Sequence, residues 1–101
     1  MVQKKKLLIV DDHPMFREGI KSIIARTPQL EVVGEAGEGQ AALQMVENLR
    51  PDMVLLDVSL PDMNGIELIH DIKKVLPEIR ILMISMHTKI CLLYTSDAAD
   101  E

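Results

Sequence analysis

Apolar residues along this chain come in two alternating rhythms. Short apolar runs, Leu7 to Val10, Met53 to Leu56 and Ile79 to Ile84 with Arg80 near its start, are too short for helices and read as strands, the first buried on both faces. A further strand runs from Glu31 to Ala36 through Val32 and Val33, with Gly34, Gly37 and Gly39 punctuating its end. Between the runs, apolar positions recur at helical spacing. Phe16, Ile20, Ile23 and Ile24 share one face; Ala42, Met45, Val46 and Leu49 form a second stripe, and Leu68, Ile69, Ile72 and Leu76 a third. Thr27-Pro28, Arg50-Pro51 and Pro77 close these segments. Asp12 or His13 can cap the first helix ahead of Pro14, while Asp62 and Asn64 shape the loop before the third helix and cap it. The order is β-α-β-α-β-α-β with short connections. Such alternation predicts right-handed crossovers and a parallel sheet with helices on both faces.

Two of these strands deliver acids to their carboxyl ends: Asp11 and Asp12 after the first, Asp57 after the third. Open α/β sheets place their chemistry there. If the two strands are parallel neighbours, three carboxylates converge on one crevice, and that much negative charge calls for a cation.

Composition narrows the picture. The 101 residues allow at most one domain, and a small one for the α/β type. A hydrophobic fraction of 48% suits a packed core, but with 2% aromatic residues the filling falls to aliphatic side chains and seven Met. The net charge of −5 counts against nucleic acid as a direct partner of this segment. Lys4-Lys5-Lys6 precedes an apolar run that stops at paired acids, which is not the pattern of a secretory signal. No stretch is long enough to span a bilayer, so no membrane contact is expected. The single Cys excludes an internal disulfide framework and fits a reducing compartment. His13 reads as a cap or a solvent-facing ring, His70 as exposed and His87 as a neighbour of the strand-four terminus; none has zinc-like spacing. The glycines at 34, 37 and 39 do not make a dinucleotide fingerprint.

Asp11-Asp12 after the first strand, Asp57 after the third, Pro61 and Gly65 beyond it and Ser85 at the end of the fourth resemble, in that order, the receiver domain of bacterial two-component response regulators. Asp-Asp-His-Pro, Val-Val-Gly-Glu-Ala and Ile-Ser-Met-His resemble in particular the LuxR/NarL-type subfamily, whose receivers precede a helix-turn-helix domain. The resemblance covers Lys5 to about His87. It implies a flavodoxin-like (CheY-like) α/β fold and Asp57 as acceptor of a phosphoryl group from a sensor histidine kinase. It implies Mg²⁺ held by Asp11, Asp12, Asp57 and the backbone carbonyl of Ser59, with the Ser85 hydroxyl bonding the phosphoryl group. It further implies a cytoplasmic signalling protein rather than an enzyme, forming a homodimer on phosphorylation and reaching DNA only through a C-terminal helix-turn-helix domain. The alternative is a phosphohydrolase with Asp57 as covalent nucleophile. Such enzymes of the haloacid-dehalogenase kind place a second Asp two residues further on, where this chain has Ser59. A stand-alone flavodoxin-like binding domain is a third reading, opposed by the lack of a phosphate-cradling loop after Val10.

Receivers continue past strand four with a helix, a fifth strand ending in a Lys, and a fifth helix. Only 16 residues follow Ser85, and Lys89 comes too soon to be that Lys. Cys91 to Glu101 matches a translation of a transposon-based sequencing-library adapter. The division expected is a partial receiver domain at 1–90 and a non-native read-through tail at 91–101. The fold expected is an incomplete one of about four strands and three helices, with Ile81 to Ser85 as an open edge and apolar surface uncovered on the first helix.

Overall fold

The computed structural model describes residues 4–57 and 60–84. Their elements are β1 (Lys5–Val10), α1 (Pro14–Ala25), β2 (Leu30–Ala36), α2 (Gly39–Leu49), β3 (Met53–Asp57), α3 (Gly65–Val75) and β4 (Arg80–Ile84). The strands form one parallel sheet in the order β2-β1-β3-β4. The alternation predicts the parallel sheet, and this strand order is the CheY-like one that the resemblance implies. β1 lies at its centre, and the acids that follow β1 and end β3 emerge side by side.

The unbroken apolar runs arise because the sheet is covered on both faces. Along β1, Leu8 and Val10 join one buried cluster while Leu7 and Ile9 join another. β3 divides in the same way, with Val54 and Leu56 on one side and Leu55 on the other. The larger cluster packs against Ala42 and Val46 of α2 and Leu68, Ile69 and Ile72 of α3. The smaller one meets Phe16, Ile20 and Ile24 of α1. Burying one such aliphatic side chain contributes roughly 1.5–3 kcal/mol, so these two layers hold the sheet in place.

Several details differ from the sequence reading. β1 starts two residues earlier than the apolar run, because Lys5 and Lys6 pair with Leu30 and Glu31. Gly34 lies within β2, as the strand read from Glu31 to Ala36 has it, but beside a bulge that reading does not foresee. Leu7 faces Val32 and Leu8 faces Gly34, so Val33 is the extra residue. A Cβ at Gly34 would sit 3.0 Å from Leu49 Cδ1, so α2 packs closely over this point and a larger residue would make Leu49 give way. Leu76 caps α3 from outside the helix.

α1 is less buried than its stripe predicts. Ile23 is 62% exposed and Met15 86% exposed, so Ile23 leaves the core face and Met15 fills no core. Ile23 lies on one flank of the stripe; Phe16, Ile20 and Ile24 take up the contact with the sheet. Beside them an apolar groove of about 210 Å³ stays open, lined by Leu7, Ile20, Ile23, Met53, Leu55 and Leu82. Among the described residues β4 pairs with β3 alone, and no helix is long and apolar enough to cross a membrane. Ser59, Ser85, His87, Lys89 and the proposed tail at 91–101 lie outside the described residues.

Candidate functional site

The register brings the acids together. β1 and β3 are parallel neighbours with Val10 opposite Leu56, so Asp11 leaves β1 where Asp57 ends β3. Each side chain is 1% exposed, while Asp12 turns outward and keeps 35% of its surface. Ligand atoms of Asp11, Asp12, Asp57 and His13 all lie within 4.8 Å of one another. Adjacent acids on an extended strand point to opposite faces, but the chain has left β1 at Asp11, and both carboxylates reach the same crevice.

The Asp11 backbone is fixed from two sides. Its N–H donates to Ala36 O at 2.9 Å, and its carbonyl accepts from the Arg17 guanidinium. Arg17 is itself held by Glu35 at 2.9 Å, and Glu35 also pairs with Lys21 at 2.6 Å. α1 and β2 thus brace the residue that opens the site. The Lys21 ammonium first, and the Arg17 guanidinium with it, hold the Glu35 carboxyl below its ordinary range despite partial burial.

His13 is the member of this cluster that sequence reasoning leaves out. It occupies the N-cap position of α1, but its side chain makes no capping bond. Instead the backbone N–H of His13 donates to Asp11 Oδ1 at 2.8 Å, and ring Nδ1 approaches the same oxygen at 2.8 Å. That nitrogen also lies 3.1 Å from Asp12 Oδ1 and 3.7 Å from Asp57 Oδ2. The bond to Asp11, followed by the charges of Asp12, Asp11 and Asp57, raises the imidazole pKa above its ordinary value. The only signal for this in the sequence is its position, two residues past Asp11. His70 is exposed, as read.

The donor set fits a hard divalent cation. Asp11 Oδ1 is occupied by His13, but Asp11 Oδ2 is buried and accepts no hydrogen bond among the described residues. A buried carboxylate oxygen in that state is costly without a positive charge beside it. Carboxylate oxygens converging from two strand ends, one of them open toward solvent, are what Mg²⁺ or Mn²⁺ takes while keeping some of its water. Three of its four members are carboxylates, His13 is the single nitrogen donor and no sulfur is present, a set unlike the Cys- and His-rich sites of structural zinc.

The loop after β3 is anchored residue by residue. Leu60 is buried in the larger core cluster, and Asn64 caps α3 by accepting from the Ile66 N–H at 2.7 Å. Asp62 does not cap α3. Its carboxylate accepts instead from the N–H groups of Gly39 at 2.7 Å and Gln40 at 3.1 Å, at the start of α2.

Comparison with known proteins agrees with this geometry. Residues 7–97 match the model of the response regulator receiver domain. The transcriptional regulatory protein DegU of Brevibacillus brevis is 39% identical over 84 residues, which cover 83% of this chain and 36% of that protein. The nitrate/nitrite response regulator protein NarL of Escherichia coli K12 is 40% identical over 80 residues, 79% of this chain and 37% of that one. A two-component response regulator of the LuxR family from Aurantimonas sp. SI85-9A1 superposes with a TM-score of 0.79 at 36% identity, over 85% of this chain and 61% of that chain. The chain thus spans less than two-fifths of the length of these curated relatives. With its parallel sheet, its converging acids and these relatives in agreement, the chain belongs to the response regulator receiver domain family and is similar to receivers of LuxR-type transcriptional regulators.

Proposed function

We propose that this chain is the phosphoacceptor module of a two-component signalling protein and that Asp57 takes the phosphoryl group. One observation carries the reading: Asp57 and Asp11 are buried at the carboxyl ends of adjacent strands, with Asp12 at the rim and ligand atoms within 4.8 Å. In the reaction, an Asp57 carboxylate oxygen forms a bond to phosphorus as the P–N bond of a kinase phosphohistidine breaks. The electron pair returns to the imidazole nitrogen, which takes up a proton, and a mixed anhydride remains on Asp57. Asp11, Asp12 and Asp57 hold Mg²⁺ together with the backbone carbonyl of Ser59, and the Ser85 hydroxyl bonds the transferred group; both serines lie outside the described residues. Bound Mg²⁺ supplies neutralisation of charge on the phosphoryl oxygens. The strand ends fix Asp57 and Asp11 in place, which supplies the positioning that phosphoryl transfer needs.

The donor is a sensor histidine kinase, the chain works in the cytoplasm, and the output is transcriptional. DegU is named a transcriptional regulatory protein, and the Aurantimonas protein a LuxR-family response regulator. By that kinship a DNA-binding helix-turn-helix domain, and a homodimer formed on phosphorylation, belong to the parent protein. Treatment with acetyl phosphate and Mg²⁺ tests the reading. The expected result is slow, at most stoichiometric incorporation of acid-stable-to-base-labile acyl phosphate, lost in Asp57→Asn because an amide is a far poorer nucleophile. Rapid multiple turnover of a phosphomonoester at Asp57 would make the chain a phosphohydrolase instead. Undiminished labelling of Asp57→Asn would place the acceptor elsewhere.

A further inference from the structure

The loop leaving Asp57 is tied to a helix that contributes nothing to the acid cluster. α2 begins at Gly39, and its N-cap residue, Glu38, makes no side-chain capping bond. The first turn of α2 carries no acidic residue. Its first N–H groups, which a helix cannot satisfy internally, are taken up by Asp62 from 23 and 22 residues away. A carboxylate at this end of the helix also meets the positive end of the helix dipole. These backbone bonds, Gly39 first, hold the Asp62 carboxyl below its ordinary range.

A second contact at the same point is steric. A Cβ on Gly39 would sit 2.6 Å from both Cγ and Sδ of Met63, closer than real Cβ atoms come. Glycine at 39 therefore lets the Met63 side chain lie flat on the start of α2, where it also packs on the larger core cluster. With Leu60 buried, the segment from 60 to 63 is fixed by apolar packing, by two hydrogen bonds and by close approach. Only residues 58 and 59 separate this fixed segment from Asp57.

We propose that Asp62 is a positioning residue for phosphoryl transfer at Asp57: by clamping residues 60–63 to Gly39 and Gln40 of α2, a short span beyond Asp57, it limits how far the Asp57 end of β3 and its carboxylate can shift within the acid cluster. This deepens the phosphoacceptor reading and rests on it. Asp62 touches neither the cation nor the phosphoryl group and acts through the loop. A cap that served only α2 would change stability alone. A clamp on the loop changes cation affinity and transfer rate in protein that is still folded.

The test uses the full 101-residue chain. Mg²⁺ affinity is measured by NMR titration and the labelling rate with acetyl phosphate, each at a temperature where circular dichroism shows the variants folded. Asp62→Ala is expected to weaken Mg²⁺ binding about tenfold, the low end of the ~10–100-fold losses seen when groups orienting metal ligands are removed, and to slow labelling similarly. Asp62→Asn, which keeps an acceptor for the Gly39 N–H, is expected to restore most of both. Ile72→Val, which loosens the core beneath α3 away from the loop, is the stability control and is expected to match the parent. If Asp62→Ala does not fold, Gly39→Pro decides, since it removes the N–H that donates to Asp62 at 2.7 Å, at a first helical position that tolerates proline after the extended Glu38; weaker binding supports the clamp and parental binding overturns it. Parental affinity and rate in folded Asp62→Ala overturn the proposal while leaving Asp57 as acceptor. A parent chain that binds no Mg²⁺ and takes no label overturns both readings together.

Discussion

Asp11 and Asp57 are each 1% exposed, a degree of burial that ionised carboxylates tolerate only with compensating charge. With ligand atoms inside 4.8 Å, the three acids repel one another, and His13 offsets part of that repulsion. Asp57→Asn should therefore do two opposite things. It should abolish phosphorylation, and it should stabilise the metal-free protein by on the order of 1–3 kcal/mol in urea unfolding. A fall in stability would show that the pocket is not strained by like charge. At Glu35 the sign runs toward acid. Its carboxyl is held below the ordinary range by Lys21 and Arg17, so the pairing stabilises the fold above the unfolded-state pKa. That contribution fades as pH falls through the lower folded value. Glu35→Gln should flatten this part of the acid limb while costing about 1 kcal/mol or less near neutrality, because all three partners are partly solvated. Asp11, Asp12 and Asp57 were legible from sequence because a strand end fixes where a side chain goes. The partners of His13 and Asp62 were not, because each depends on a contact that the local pattern does not encode: a ring rotamer in one case, a neighbouring helix in the other.

Among the elements, α1 and α3 show how far an apolar stripe can be trusted. On α3, Leu68, Ile69 and Ile72 are buried as their spacing predicts. On α1 the same spacing overstates burial, because only α1 covers that face among the described residues and its flank at Ile23 stays open. Ile72→Ala should cost about 2–5 kcal/mol, whereas Ile23→Ser should stay within about 0.5 kcal/mol, both read from denaturant midpoints. Equal costs would mean that α1 is packed differently. The Asn64 cap should be worth about 1 kcal/mol to α3, lost in Asn64→Ala. β2 carries a related lesson. The strand read from Glu31 to Ala36 holds, but nothing in its pattern marks Val33 as the extra residue of a bulge or places Leu49 of α2 over Gly34. Both depend on what pairs with and packs above these residues.

For the molecule as a whole, the strand order β2-β1-β3-β4 matters most, because it alone makes neighbours of the two strands that carry the acids. Alternation of strands and helices predicted a parallel sheet, but the adjacency of β1 and β3 was a condition in the sequence reading and is a fact of the structure. The two apolar layers fix the sheet, the sheet fixes the strand ends, and the strand ends gather the charge. Because a cation bound at those ends binds the folded state alone, Mg²⁺ should raise the melting temperature in a concentration-dependent way, and less so in Asp57→Asn. The most direct measurement is tandem mass spectrometry of the chain after incubation with acetyl phosphate, with and without Mg²⁺, to map the modified residue. The account predicts a single phosphoryl group on the peptide containing Asp57, formed only when the cation is present. A phosphoryl group on His13 or elsewhere, or labelling of Asp57 that is indifferent to Mg²⁺, would contradict it.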